Sequence, residues 1–178
     1  TGVQTCALPI SISIHEAQRM AIQADPTWRE DDNRAGNAGM KAARGFGLVG
    51  YRTFDAYQND QTDSDEKLNE YRAATYIRHQ GDKLDRRFYA QCYWHLTKSL
   101  DTHHIGRGRG GAATALGELT LPAFVLSIDS DVLIPPSEQL FLAENLPNVT
   151  HSQLQSPYGH DGFLIETEAI GKLIGAWW

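Results

Sequence analysis

From residue 121 onward, apolar residues come in short dense runs separated by proline and glycine. Leu121 to Ile128 is uncharged and partly β-branched, the pattern of a strand buried on both faces of a parallel sheet. Pro135 and Pro136 stop that run, Glu138 favours a helix start, and Leu140, Phe141 and Leu146 give the helix an apolar face. Val149 to Leu154 reads as the next strand, and Ser156, Pro157 and Gly159 as a turn. Phe163 to Trp178 closes the chain as a helix that offers Phe163, Ile170, Leu173 and Trp177 to the sheet. Upstream the period is helical. Ala17, Met20, Ala21 and Ala24 mark a helix over 16–24, ended by Asp25-Pro26. Phe46, Val49, Gly50 and Phe54 mark a closely packed or kinked one over 40–57, and Leu68, Tyr71 and Ile77 face inward from 67–80. Further helices are predicted over 87–100 and 112–119, with loops at 28–37 and at the acidic run 58–66. Helices in succession followed by β-α-β-α suit a helical lid inserted into an α/β core.

Two polar groups fall where such a core does chemistry. Asp131 lies just past the first strand and His160 in the turn after the second, and open α/β sheets bind ligands outside the carboxyl ends of their strands. A carboxylate that accepts the Nδ1 proton of a histidine fixes its tautomer and leaves Nε2 as a base toward a hydroxyl nucleophile. The order Asp then His, with a serine further upstream, is that of the α/β-hydrolase fold. Taken alone, Asp131 reads equally as a turn or N-cap aspartate, and His160 as a loop histidine.

Composition narrows the partners. A net charge of −6 over 178 residues argues against nucleic acid and anionic membrane surfaces. No apolar run reaches the length of a span and no secretory leader is visible, so a cytoplasmic location is expected. Cys6 and Cys92 make neither a disulfide framework nor a zinc spacing, even with His95, His103 and His104 nearby; no metal is expected. The acidic run fits no EF-hand, and the single RGRGG at 107–111 is weak as an RNA-binding segment. Arg107 and Arg109 either face a mouth that admits an anionic acyl carrier or cap the preceding helix.

Longer stretches carry a family likeness. S-D-V-L-x-P-P-x-E-Q (Ser130 to Gln139), L-A-E-N-L-P-N (Leu142 to Asn148) and S-x-Y-G-H-D-G-F-L-x-E (Ser156 to Glu166) resemble the C-terminal third of homoserine O-acetyltransferases. Upstream, A-I-Q-A-D-P-x-W (Ala21 to Trp28), A-A-R (Ala42 to Arg44), Y-R (Tyr51, Arg52), Y-x-R-H-Q-G-x-K-L-x-x-R-F (Tyr76 to Phe88) and D-x-H-x-x-G-R-x-R-G-G (Asp101 to Gly111) keep the family's order. The resemblance runs from about Ile12 to the end. It implies the C-terminal part of an α/β-hydrolase fold with an inserted helical lid over 11–86 and core over 87–178, the N-terminal strands and nucleophile elbow missing. It also implies transfer of an acetyl group from acetyl-CoA, a co-substrate rather than a bound cofactor, to the hydroxyl of L-homoserine in methionine biosynthesis, by a homodimer. Asp131 and His160 would complete a Ser-Asp-His triad. Arg44, Tyr51 and Asp161 would bind the amino acid: a zwitterion needs a cation for its carboxylate and an anion for its ammonium, and arginine's fork suits the first. Without the resemblance Arg44 is an ordinary surface arginine. Close rivals are a succinyl donor, a serine acceptor, or an esterase that lets water take the acyl group.

Two features depart from the family pattern, the absence of a G-x-Y after Trp28 and His104 where aspartate is frequent; both bear on the acyl donor. The first ten residues, TGVQTCALPI, match no part of it. They read as one frame of a common sequencing adapter and are expected to be non-native. The chain contains no G-x-S-x-G, so the elbow is expected upstream of this sequence.

Overall fold

The structure, a computed structural model, describes residues 5–178; the first four residues of the adapter-like segment lie outside the described residues. In chain order the elements are α1 (Pro9–Gln23), α2 (Asn37–Tyr51), α3 (Phe54–Gln61), α4 (Arg72–Asp85), α5 (Ala90–Asp101), α6 (Ala112–Gly117), β1 (Ala123–Ile128), α7 (Pro136–Asn145), β2 (Val149–Leu154), a 3-10 turn (Gly159–Asp161), α8 (Gly162–Ile165) and α9 (Thr167–Trp177). They form two units. One takes in residues 5–7, 51–53 and 103–178; the other takes in 8–50 and 54–102.

The helical unit is built around Ile22, Met40, Ala43, Leu84 and Ala90, with Trp28, Phe88, Tyr93 and Trp94 packed against them. Ile22 and Met40 are fully buried, which stabilises by about 1.5–3 kcal/mol for each side chain. Helix α1 starts at Pro9, earlier than its apolar period suggested, because proline's fixed φ suits a first helical position. Gly39 lets α2 approach α1: a Cβ there would lie 2.4 Å from the Ala21 carbonyl oxygen. Asp25, just past α1, accepts the Thr27 amide and hydroxyl on one oxygen and the buried Gly39 amide on the other. Burial works against its charge, but the Gly39 and Thr27 bonds prevail and hold its carboxyl below the usual range. Those bonds therefore stabilise the fold above the ordinary carboxylate pKa and are lost as pH falls through the lowered one. Asn37 threads three helices, donating to Asp85 at 2.7 Å and accepting the Ala90 amide at 3.0 Å.

Asp101, the last residue of α5, meets α1 through two groups. Its Oδ2 lies 2.7 Å from Nη1 of the nearly inaccessible Arg19, and its Oδ1 lies 2.6 Å from Nδ1 of His15. Asp101→Ala would leave the buried Arg19 with Glu16, 2.9 Å from its Nε, as its remaining carboxylate, and losing one hydrogen-bonded charged partner costs about 1.5–3 kcal/mol. Chemical denaturation is expected to show a loss of that order for Asp101→Ala; a loss under about 1 kcal/mol would mean that water solvates Arg19.

The sheet-bearing unit has a parallel pair, β1 beside β2, registered from Ala123 with Val149 to Ile128 with Leu154. Leu116, Val125 and Leu142 form its core, with Ile105, Phe141, Leu146 and Val149 around them. The loop before α6 pairs briefly with residues 5–7, through Cys6 opposite His104.

Several expectations change. The single helix over 40–57 is two, α2 and α3, broken at Arg52 and Thr53. Leu68 and Tyr71 do not face inward: they are 91% and 48% exposed. They precede α4, in a polar stretch where Lys67 turns back to Asp63 at 2.7 Å. β1 is not buried on both faces, since Phe124 and Leu126 are only half-buried beside a single neighbouring strand. On α7 the buried apolar residue is Leu142, while Leu140 is exposed. The last helix breaks at Glu166 and has no fully buried residue, although Trp177 does reach the sheet, its ring 5.7 Å from that of Phe124. Helix α5 packs on α1 and groups with the other helices, and the sheet-bearing unit resumes at His103.

Candidate active site

The end of β1 and the turn after β2 are laced together by three successive side chains. Asp129 Oδ1 accepts the Ser156 amide at 3.0 Å, where the turn begins. Ser130 Oγ accepts the Gly159 amide at 3.0 Å and donates to the Ser156 carbonyl. Asp131 Oδ2 lies 2.8 Å from Nδ1 of His160. The parallel register makes this possible, because it ends both strands at the same level, Ile128 beside Leu154. Gly159 sits at φ +62°, which glycine adopts without strain, and a Cβ there would stand 2.9 Å from the Tyr51 carbonyl oxygen.

Asp131 is 8% exposed, and its carboxylate is occupied on both sides. Oδ1 accepts the backbone amides of Leu133 and Ile134, each at 2.9 Å, so the group cannot swing away from the imidazole. It is thus both the turn aspartate and the histidine's partner, the two readings that its sequence position allowed. A proton on Nδ1 of His160 is held by Asp131, which leaves Nε2 as the nitrogen for proton transfer. The ring is flanked by Phe163 at 5.3 Å and Tyr51 at 5.7 Å between centroids. Beside Asp131 and His160 a cavity of about 310 Å³ opens, lined mainly by apolar residues of β1, α7 and the C-terminal helices, among them Ile128, Leu142, Phe163 and Ile174.

Among the residues singled out for substrate, Tyr51 and Asp161 gather at this turn. Arg44 lies half-buried on α2, in the helical unit. Asp161 Oδ2 accepts Arg52 Nε at 2.9 Å, and Thr53 Oγ1 donates to the Pro157 carbonyl. Arg107 and Arg109 are exposed on the glycine-rich loop, and at the end of α5 the Thr102 amide donates to the Leu100 and Lys98 carbonyls. Sequence reasoning missed Asp129, Ser130 and Thr53 as groups that hold the turn, and Arg52 as the partner of Asp161. The signal was there for two of them: three hydrogen-bonding side chains in a row at a strand end, Asp129 to Asp131, have to find partners. A serine also meets a histidine across the strands, Ser127 Oγ lying 3.1 Å from His151 Nε2. Ser127 is 1% exposed, so no substrate reaches it.

A scan against protein-family models finds no match. Curated relatives are close, however. Homoserine O-acetyltransferase of Chlorobaculum tepidum is 43% identical over 166 residues, 92% of this chain and 47% of that protein. The enzyme of the same name from Cyclobacterium marinum is 38% identical over 168 residues, 94% of this chain and 48% of that protein. The chain therefore spans about half the length of the curated relatives it matches. Among solved structures, homoserine O-acetyltransferase from Bacillus anthracis superposes with a TM-score of 0.82 over 96% of this chain and 50% of its own, at 14% identity. Esterase E22 does so with a TM-score of 0.81 over 96% and 51%, also at 14%, a level at which only the fold is shared. The fold is thus part of an α/β-hydrolase, and along nearly its whole length the chain is similar in sequence to one half of curated homoserine O-acetyltransferases.

Proposed function

We propose that this chain is the C-terminal half of an acyltransferase that moves an acetyl group from acetyl-CoA to L-homoserine, through a serine carried on the part of the protein N-terminal to this sequence. The observation that carries the reading is the 2.8 Å contact between Asp131 and His160 at adjacent strand ends, in a chain about 40% identical to enzymes of that name. In the first half-reaction His160 Nε2 takes the serine proton as the oxygen attacks the thioester carbonyl. The C–S bond breaks, and the imidazolium returns the proton to the departing thiolate. In the second, the same nitrogen takes the homoserine hydroxyl proton, the new ester forms, and the proton goes back to the serine oxygen. Asp131 holds the tautomer and stabilises each imidazolium. The test is to clone the complete gene and follow CoA release and ester formation. Acetyl- and succinyl-CoA as donors, and homoserine, serine and water as acceptors, separate this reading from its rivals. Hydrolysis of acetyl-CoA that homoserine neither accelerates nor diverts would make the protein an esterase.

Arg44 is assigned the substrate carboxylate, and Asp161 and Tyr51 the rest of the amino-acid pocket. In the complete protein Arg44→Ala is expected to lower kcat/KM for homoserine by about 10- to 150-fold, the worth of one charge-assisted bond. The burst of CoA that reports serine acylation is expected to survive. A lost burst with an unchanged homoserine KM would move Arg44 to the CoA site or to the fold.

A further inference from the structure

We propose that Arg52 is a positioning residue for the acceptor amino acid: through its bond to Asp161 it fixes which carboxylate oxygen faces the substrate's ammonium group. This rests on the functional reading above, in which Asp161 binds that ammonium. The residues concerned lie within one unit, because Tyr51, Arg52 and Thr53 group with the sheet and not with the helices on either side of them in sequence. Arg52 Nε donates to Asp161 Oδ2 at 2.9 Å, with both side chains only 16% exposed. No hydrogen bond is made by Asp161 Oδ1 among the described residues, and Asp161, as N-cap of α8, makes no capping bond with its side chain. One oxygen is thus anchored and the other is available, which is the arrangement a site needs if it is to present a carboxylate to a cation without letting it rotate.

The bond matters for binding more than for the base. His160 is held independently, by Asp131 on the ring and by Asp129 and Ser130 on the backbone of the turn. Thr53 adds a further tie at the Pro157 carbonyl. Removing the Arg52 guanidinium leaves all four of these bonds in place while it releases the Asp161 carboxylate. Arginine, unlike lysine, presents a rigid fork, so Arg52→Lys keeps the charge but loses the fixed direction.

The experiment uses the complete protein with Arg52→Ala and Arg52→Lys, measuring the CoA burst, kcat, the homoserine KM and the thermal midpoint. Arg52→Ala is expected to raise the homoserine KM about 10- to 100-fold while the burst stays within about twofold of the parent, and Arg52→Lys to fall between the two. An unchanged KM overturns the proposal. So does a burst that falls in step with the thermal midpoint, which would make Arg52 a residue of the fold alone. Should Arg52→Ala not fold, Arg52→Lys decides: a raised KM with the burst intact supports the proposal, and parental kinetics refute it. A parent that transfers no acyl group removes the functional reading and this inference together, whereas an active parent with an indifferent Arg52 removes only the inference.

Discussion

Acetyl transfer by the 178-residue chain on its own is expected to be undetectable. The serines at the turn are committed to holding it: Ser130 bonds Gly159 and Ser156, and Ser156 Oγ accepts the Tyr158 amide. Neither sits on a strained elbow beside a pair of backbone donors, and the chain contains no G-x-S-x-G. Loss of a triad nucleophile alone costs about a millionfold, which takes turnover below what an ordinary assay detects. Among the described residues β1 pairs on one side only, and Leu121, Val132 and Leu164 are 74%, 67% and 63% exposed. An open strand edge next to apolar surface favours self-association, so light scattering of the isolated chain is expected to show oligomers. CoA release measured with a thiol reagent, alongside mass spectrometry for the acetyl ester, checks the first point. Transfer by the purified chain above the uncatalysed rate would mean that a serine within it is the nucleophile.

In the complete protein His160→Ala is expected to lower kcat/KM by about four to six orders of magnitude and to abolish the CoA burst, because in the proposed mechanism the same nitrogen serves both half-reactions. Asp131→Asn is expected to lose about 10⁴-fold for a different reason. Its Oδ1 is held by two backbone amides, so an asparagine keeps its oxygen there and turns its NH₂ toward His160. The imidazole must then accept at Nδ1 and carry its proton on Nε2, the wrong tautomer for a base. Thermal midpoints near the parent's would show that the turn still stands on Asp129 and Ser130. A burst that survives His160→Ala would place the base elsewhere and undo the assignment of the pair.

Some of this was legible in the order of residues alone. An uncharged β-branched run, two prolines and a second short run determine β1, α7 and β2, since period and punctuation act locally; β2 falls at 149–154 as its pattern predicts. The meeting of Asp131 and His160 was also readable, because a right-handed β-α-β unit puts the ends of adjacent parallel strands side by side. Burial was not. Whether Leu68, Tyr71 or Leu140 faces inward depends on what lies opposite, and Lys67 reaching for Asp63 or a sheet of two strands among the described residues is not written in any window of sequence. Arg52 makes the same point at the site. It lies 109 residues from Asp161, and only the tertiary structure, by breaking a continuous helical pattern at Arg52 and Thr53, turns its guanidinium to that carboxylate. Sequence periodicity determined the two strands and the order Asp131 then His160 at their ends, whereas long-range packing decided which charges became partners, because a charged side chain pairs with whatever the fold brings within a few ångströms.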